Sequence, residues 1–131
     1  MKKVIDTEAI LAFYLDEPGA DKMEDLLQKS LAGSLECFVN VVNLSEFYYI
    51  VARRSKKAAD EKEKNLRNYA VKIVPVDDNS LWKEAAQLKA SHSLSLGDAF
   101  AAATAKVLKA DLVAGFDKEF RGLGLNIEKI R

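Results

Sequence analysis

The sequence predicts an α/β fold, a parallel sheet covered by helices on both faces, and three observations lead there. Short β-branched runs alternate with helical patterns along the whole chain. Such alternation builds right-handed crossovers between parallel strands. The stretches between the runs carry apolar residues at helical spacing. The length, 131 residues, suits one domain with one core, so residues 1–131 are expected to form a single domain without repeat or linker.

Taken in order, KKVID (2–6) is a β-leaning run that closes on Asp6. Thr7 is expected to cap the helix TEAILAFYLDE, with Ile10, Leu11, Tyr14 and Leu15 on one face, and Pro18-Gly19 ends it. A helix over 20–32 carries Met23, Leu26, Leu27 and Leu31 and stops at Gly33. ECFVNVV (36–42) reads as a strand, after which Asn43 caps NLSEFYYIVARR. Residues 56–70 form a highly charged helix with a thin apolar stripe of Ala59, Leu66, Tyr69 and Ala70. VKIVPV (71–76) is a strand that Pro75 either ends or places at a sheet edge. Residues 77–92 make an amphipathic helix with Leu81, Trp82, Ala85 and Leu88. Ser95 caps an Ala-rich helix that runs to about Ala110. DLVAGF (111–116) is a strand ending at Asp117, KEFRG a helical turn, and LNIEKI (125–130) a last edge strand.

Composition narrows the function. Twenty basic residues balance twenty acidic ones, which excludes a globally basic nucleic-acid binder but leaves room for a local basic patch. Cys37 is the sole cysteine, so no intrachain disulfide forms, and it reads as a small buried hydrophobe. No apolar run is long enough for a signal peptide or a membrane span. A cytoplasmic protein is the expectation.

Sites in open parallel sheets lie outside the carboxyl ends of the strands. Asp6 and Asp117 end predicted strands. Glu46 and Asp98 fall in the first turns of helices that follow. All four acids are therefore expected at one sheet edge. Each also has a local reading. Asn43-x-x-Glu46 matches a capping box. Asp98 can favour the positive end of the helix dipole, and Asp117 can open a turn. Asp6 is hardest to explain locally, because Thr7 can already cap its helix. Gathered together, four carboxylates repel one another and need a cation. Hard oxygen donors suit Mg²⁺ or Mn²⁺, which can activate water for phosphodiester hydrolysis without a Ser, Cys or His nucleophile. The one histidine, His92, has no evident partner.

The cluster RRSKK supplies Arg53, Arg54, Lys56 and Lys57 as candidate RNA phosphate contacts. Cations at a helix C-terminus would look the same. The helices at 7–15 and 43–54 carry Phe13, Tyr14, Phe47 and Tyr48, which could line a groove for a partner peptide or belong to the core.

On VIDTEAILAFYL, VVNLSEFYYIVAR, LSLGDAFAAATAKVLKADLVAG and FDKEF, the chain resembles the PIN domain family, and within it the VapC-type toxin ribonucleases. The likeness runs over nearly the whole chain, and LGDAFAAATA is its most specific piece. It implies an α/β/α sandwich with a five-stranded parallel sheet in the order 3-2-1-4-5. Asp6, Glu46, Asp98 and Asp117 would serve as catalytic and metal-binding acids with Mg²⁺ or Mn²⁺. The likeness further implies an endoribonuclease acting on single-stranded or loop RNA, a homodimer, and an antitoxin seated near the site. Thr7 matches the small hydroxyl that follows the first acid. Gly115 departs from the pattern, in which Thr, Ser or Asn stands two residues before the last acid. That departure keeps open a non-catalytic PIN-like binding module. A receiver-like phosphoacceptor domain is a further alternative, although no tandem acid pair follows the first strand.

Overall fold

The structure, a computed structural model, describes residues 1–77, 79–116 and 118–131. The described residues form five strands: β1 (Lys2–Ile5), β2 (Glu36–Asn40), β3 (Lys72–Val74), β4 (Asp111–Ala114) and β5 (Ile127–Lys129). Six α-helices accompany them: α1 (Thr7–Tyr14), α2 (Ala20–Ala32), α3 (Val41–Ala52), α4 (Lys56–Asn68), α5 (Asn79–Ser91) and α6 (Leu96–Leu108). The five strands make one sheet in the order β3-β2-β1-β4-β5, and every pairing is parallel. This is the α/β/α architecture and the strand order that the resemblance implies. It disposes of the receiver-like alternative, whose doubly wound sheet runs 2-1-3-4-5.

The period-2 alternation of the strands builds two cores. Ile5, Cys37, Val39 and Val113 face a cluster formed with α1, α2, α3 and α4, where Ile10, Met23, Leu27 and Phe47 are fully buried. Val4, Phe38, Leu112 and Ala114 face the other way, against α5 and α6. On that side five alanines of α6, from Ala99 to Ala105, are buried. Alanine adds little bulk, so the backbone of α6 can lie close to the strands, and it is the best helix former. The sheet is thus buried on both faces. No described helix is long and apolar enough to cross a membrane.

Several sequence expectations shift by a few residues, each for a physical reason. Leu15, Leu31 and Trp82 fit their helical stripes by spacing, yet all three are exposed, because neither core extends to cover them. β3 ends at Val74, and Pro75, which lacks an N–H, lies just beyond this edge strand. Gly33 stops α2 in the left-handed conformation, φ 83°.

The largest shift is at α3. Spacing predicts Asn43 as its cap, whereas Asn40 fills that role, with its Oδ1 accepting from Val42 N at 2.8 Å. Asn40 is fully buried at the end of β2. Its Nδ2 donates to Thr104 Oγ1 at 2.9 Å, and Thr104 donates in turn to Phe100 O in α6. One amide therefore ends a strand, opens a helix and ties both to α6. Val41 and Val42 are β-branched, which is why they read as strand, but the cap turns them into the first turn of the helix. Replacing Asn40 with Ala removes the cap and leaves buried groups without partners. Urea unfolding should show a loss of about 2–3 kcal/mol; a loss below about 0.5 kcal/mol would mean that the amide holds nothing together.

Candidate active site

The site begins with Asp6, the residue after β1. Its backbone N–H continues the β1–β4 pairing and donates to Val113 O at 3.0 Å. Its side chain caps α1: Oδ1 accepts from Ala9 N at 2.8 Å and from Gly115 N at 3.3 Å. Asp6, not Thr7, is thus the N-cap, and the expectation that Asp6 has little capping to do is corrected. The carboxyl is only 2% exposed. Burial pushes its pKa up to about 7. The Ala9 and Gly115 N–H groups pull it down, while Asp98 and Glu8 push it further up.

Glu46 does not sit where a capping box would put it. Because α3 starts at Val41, Glu46 falls in the second turn. Asn43 lies inside the helix and is buried. Its Nδ2 donates to Thr7 Oγ1 at 3.1 Å and to Gly97 O at 3.0 Å, while its Oδ1 is buried without a partner among the described residues. The Thr7 hydroxyl donates to Glu46 Oε1 at 2.5 Å. On the opposite side Gly97 leaves the space this carboxylate needs: a Cβ there would lie 2.6 Å from Glu46 Oε1. The glycine of "LGD" at the head of α6 thus leaves Glu46 its place, and a side chain there would displace the carboxylate.

Asp98 is the third residue of α6, and the Ser95 hydroxyl accepts from its backbone N–H at 3.1 Å. The capping reading of this segment holds as local structure. The carboxyl of Asp98 nevertheless belongs to a larger group. Burial raises its pKa first, the Ser95 side chain holds it down, and Glu119 and Glu46 raise it again.

These residues line one cavity of about 300 Å³: Asp6, Thr7, Glu8, Glu46, Ser95, Asp98, Phe116, Glu119 and Phe120. The cavity lies at the carboxyl ends of β1 and β4, the edge where a parallel sheet binds its ligands. Three of the four acids expected from the sequence are here. Asp117 lies outside the described residues. Glu8 and Glu119 are additions that sequence reasoning missed, although each stands two residues after an expected acid at the same edge, which is the signal that could have found them. Glu8 is exposed at the mouth. Burial of its carboxyl raises its pKa, Arg131 lowers it, and Glu17, Glu46 and Asp98 raise it.

Glu8 also explains Gly115. A Cβ on residue 115 would lie 2.5 Å from Glu8 Cβ, so the first turn of α1 fills the space that a Thr, Ser or Asn would need. The backbone N–H of Gly115 remains and bonds Asp6.

The lining as described contains five carboxylates, two hydroxyls and no basic residue. An all-oxygen donor set with this surplus of negative charge fits Mg²⁺ or Mn²⁺ in chemistry and charge. Among the described residues no three Asp, Glu, His or Cys side chains stand as a ready-made ion cage. A larger cleft of about 490 Å³ at the opposite end of the sheet, around Met1, Lys3, Lys22, Asp21 and Asp25, mixes both signs and lacks this surplus.

The basic cluster lies elsewhere. Arg53 is the C-cap of α3, with its guanidinium 5.1 Å from the Tyr49 ring. Lys56 and Lys57 open α4, where the dipole opposes them, and pair with Asp60 and Glu61 one turn on. Arg53 and Arg54, with Leu15, Glu17, Ile50 and Val51, line a groove of about 710 Å³ between the ends of α1 and α3. Phe13, Tyr14, Phe47 and Tyr48, candidates for lining such a groove, pack into or against the core instead. Phe47 is fully buried, and the Tyr14 and Tyr48 hydroxyls donate to Asn65 and Asp60 of α4.

The family model described as PIN domain matches residues 3–124. No curated protein matches the chain. Among solved structures, VapBC2 from Rickettsia felis, bound to a DNA fragment from its promoter, superposes with a TM-score of 0.81 at 18% identity, covering 98% of both chains. A toxin–antitoxin complex from Klebsiella pneumoniae gives 0.74 at 14% identity, again over 98% of both chains. VapC20 from Mycobacterium tuberculosis, described as a sarcin–ricin loop cleaving toxin, gives 0.71 at 18% identity, covering 94% of this chain and 95% of that one. At these identities the likeness is one of fold.

Asp6 supplies a pH test. Its folded pKa, about 7, lies above its ordinary value of 3.8, so the folded state binds this proton more tightly than the unfolded state. Its contribution to stability is complete below about pH 4 and is lost as pH rises through about 7. Asp6→Asn keeps an oxygen for the Ala9 and Gly115 N–H groups and cannot ionise. In EDTA, between pH 4 and pH 7.5, wild type should lose on the order of a few kcal/mol relative to Asp6→Asn. A difference between the two proteins that does not change with pH would show that Asp6 is not held in this way.

Proposed function

The chain belongs to the PIN domain family, and from that premise we propose that it is a divalent-metal-dependent endoribonuclease of the VapC type, the toxin of a toxin–antitoxin pair. The observation that carries the reading is the cavity at the strand ends, lined by Asp6, Glu8, Glu46, Asp98 and Glu119 with no basic residue among them. Such a pocket repels a phosphodiester unless a cation reverses its sign. Mg²⁺ or Mn²⁺, when bound, supplies that charge and the activation of water.

Asp6, Glu46 and Asp98 are the residues that would hold the ion, with Asp117 as the fourth acid of the set. The chain's own contribution is orientation. Two backbone N–H groups fix Asp6. The Thr7 hydroxyl and the space over Gly97 fix Glu46. Ser95 fixes the backbone that carries Asp98. Preorganised groups of this kind stabilise developing charge without reorganising at the moment of reaction. Phe116 and Phe120 supply the aromatic part of the cavity lining.

The reading extends to partners. RNA is the substrate, as for the toxin described as cleaving the sarcin–ricin loop. Of the basic cluster, Arg53 and Arg54 are the better phosphate contacts, since Lys56 and Lys57 already face acids on α4. The groove between α1 and α3, apolar at Leu15 and Ile50 and cationic at its rim, is the proposed seat of an antitoxin segment. VapBC complexes among the similar structures support a partner of that type.

The test is cleavage of a mixed RNA pool with Mg²⁺, Mn²⁺ or EDTA. Cutting should require the metal. Asp6→Asn, Glu46→Gln and Asp98→Asn should each lower kcat by about 10²–10³-fold or more, the scale of losing one preorganised stabilising group. His92→Ala should cut like wild type. Equal cutting in EDTA would contradict the metal mechanism, and no cutting under any condition would favour a binding module.

A further inference from the structure

One aromatic ring at the mouth of the acidic cavity is left open to solvent. Phe116 is 47% exposed, yet it lines the same cavity as Asp6, Glu46 and Asp98. A lone exposed Phe on a protein surface needs no explanation. This one is held in place. Arg131 Cζ stands 4.5 Å from its ring centroid, within the range where the negative face of a ring attracts a guanidinium.

Arg131 is itself anchored. Its Nη2 donates to Glu17 Oε1 at 2.9 Å. Its Nε is buried with no partner among the described residues. The preceding residue, Ile130, packs so closely on Gly19 that a Cβ there would lie 2.8 Å from both Ile130 O and Cδ1. Gly19 takes φ 99°, which also favours glycine. The segment that carries Arg131 is therefore fixed against the turn between α1 and α2. The result is a ring with a guanidinium against it, half open to solvent and lining the same cavity as the carboxylates.

We propose that Phe116, backed by Arg131, is a stacking platform for an unpaired RNA base beside the phosphodiester held in the acidic cavity. The proposal rests on the ribonuclease reading and deepens it. A pocket walled by carboxylates offers a nucleic acid little electrostatic attraction of its own, and a neutral component of binding would add to what a bound cation supplies. Base stacking on an aromatic face is such a component, and it tolerates any base. A base inside a duplex must first be unpaired and unstacked to use it, at a cost of about a few kcal/mol. The platform therefore suits RNA that is unpaired next to the cut, the single-stranded or loop RNA that the family resemblance already implies. The ring adjoins the carboxylates rather than the groove between α1 and α3, which favours a base over a protein segment as its occupant.

The test uses short single-stranded RNAs carrying 2-aminopurine at successive positions, mixed with the full chain in Mn²⁺. Stopped-flow quenching before turnover reads stacking, and cleavage kinetics read kcat and KM. Wild type should quench at one position. Phe116→Leu should abolish that quench and raise KM about tenfold or more with kcat little changed, while Phe116→Trp keeps both. Arg131→Ala should give part of the same loss. Phe116 is exposed, so the Leu variant should melt with wild type. A Phe116→Leu protein that quenches and cuts with wild-type KM overturns the platform and leaves the nuclease reading standing. The platform is likewise overturned if the substitution weakens only the binding of an antitoxin-type protein. Quenching by wild type without any cutting upholds the platform and defeats the nuclease reading. Neither quenching nor cutting overturns both.

Discussion

The architecture of this molecule turns on one buried carboxylate. Asp6 closes the central strand and lies almost wholly out of water. A charge in that position is costly unless neighbours stabilise it. Two backbone N–H groups do part of this, one from the helix that Asp6 caps and one from the adjoining strand end. The nearby charged groups that act on it, Asp98 and Glu8, act in the wrong direction. A cation would supply the missing compensation, and the rest of the edge is built as though to receive one. Thr7 and Asn43 connect α1, α3 and α6 through a short chain of hydrogen bonds that ends on Glu46. The two glycines, Gly97 and Gly115, keep Cβ atoms out of spaces that Glu46 and Glu8 occupy.

That economy explains what the sequence made legible. Strand and helix alternation, apolar spacing and the Ala-rich stretch are properties of whole segments, so the layered fold and the common edge of Asp6, Glu46 and Asp98 could be read from them. Caps depend on a single side chain in a single turn, and there the reading slipped. At α1 and α3 the caps, Asp6 and Asn40, stand just before the residues expected to cap, Thr7 and Asn43. Spacing alone could not choose between a cap and the residues that follow it. The β-branched Val41 and Val42 pulled the expected strand two residues too far. With α3 starting at Val41, Glu46 leaves the capping position and becomes free for the cavity.

Residues missed altogether follow the same logic. Glu8 and Glu119 are charged residues in first turns, where acids are common. Phe116 reads as the end of a strand, and Arg131 belongs to no motif. Nothing local distinguishes them. Their role emerges only when parallel pairing brings β1, β4 and β5 side by side. Asp98 shows that a local and a site reading need not compete: Ser95 opens its helix in the ordinary way, while its carboxyl lies among Glu46 and Glu119.

The central claim is that the acids at this edge form a divalent-metal site, and thermal melts of wild type and Asp98→Asn, each in EDTA and in Mn²⁺, test it most directly. With repulsion relieved, Asp98→Asn should melt at or above wild type in EDTA. Manganese should stabilise wild type by about 2.7 kcal/mol at a hundred times its dissociation constant, and the variant much less. A variant that melts lower in EDTA, beside a wild type indifferent to manganese, would contradict the account and leave Asp98 a helix-start residue alone.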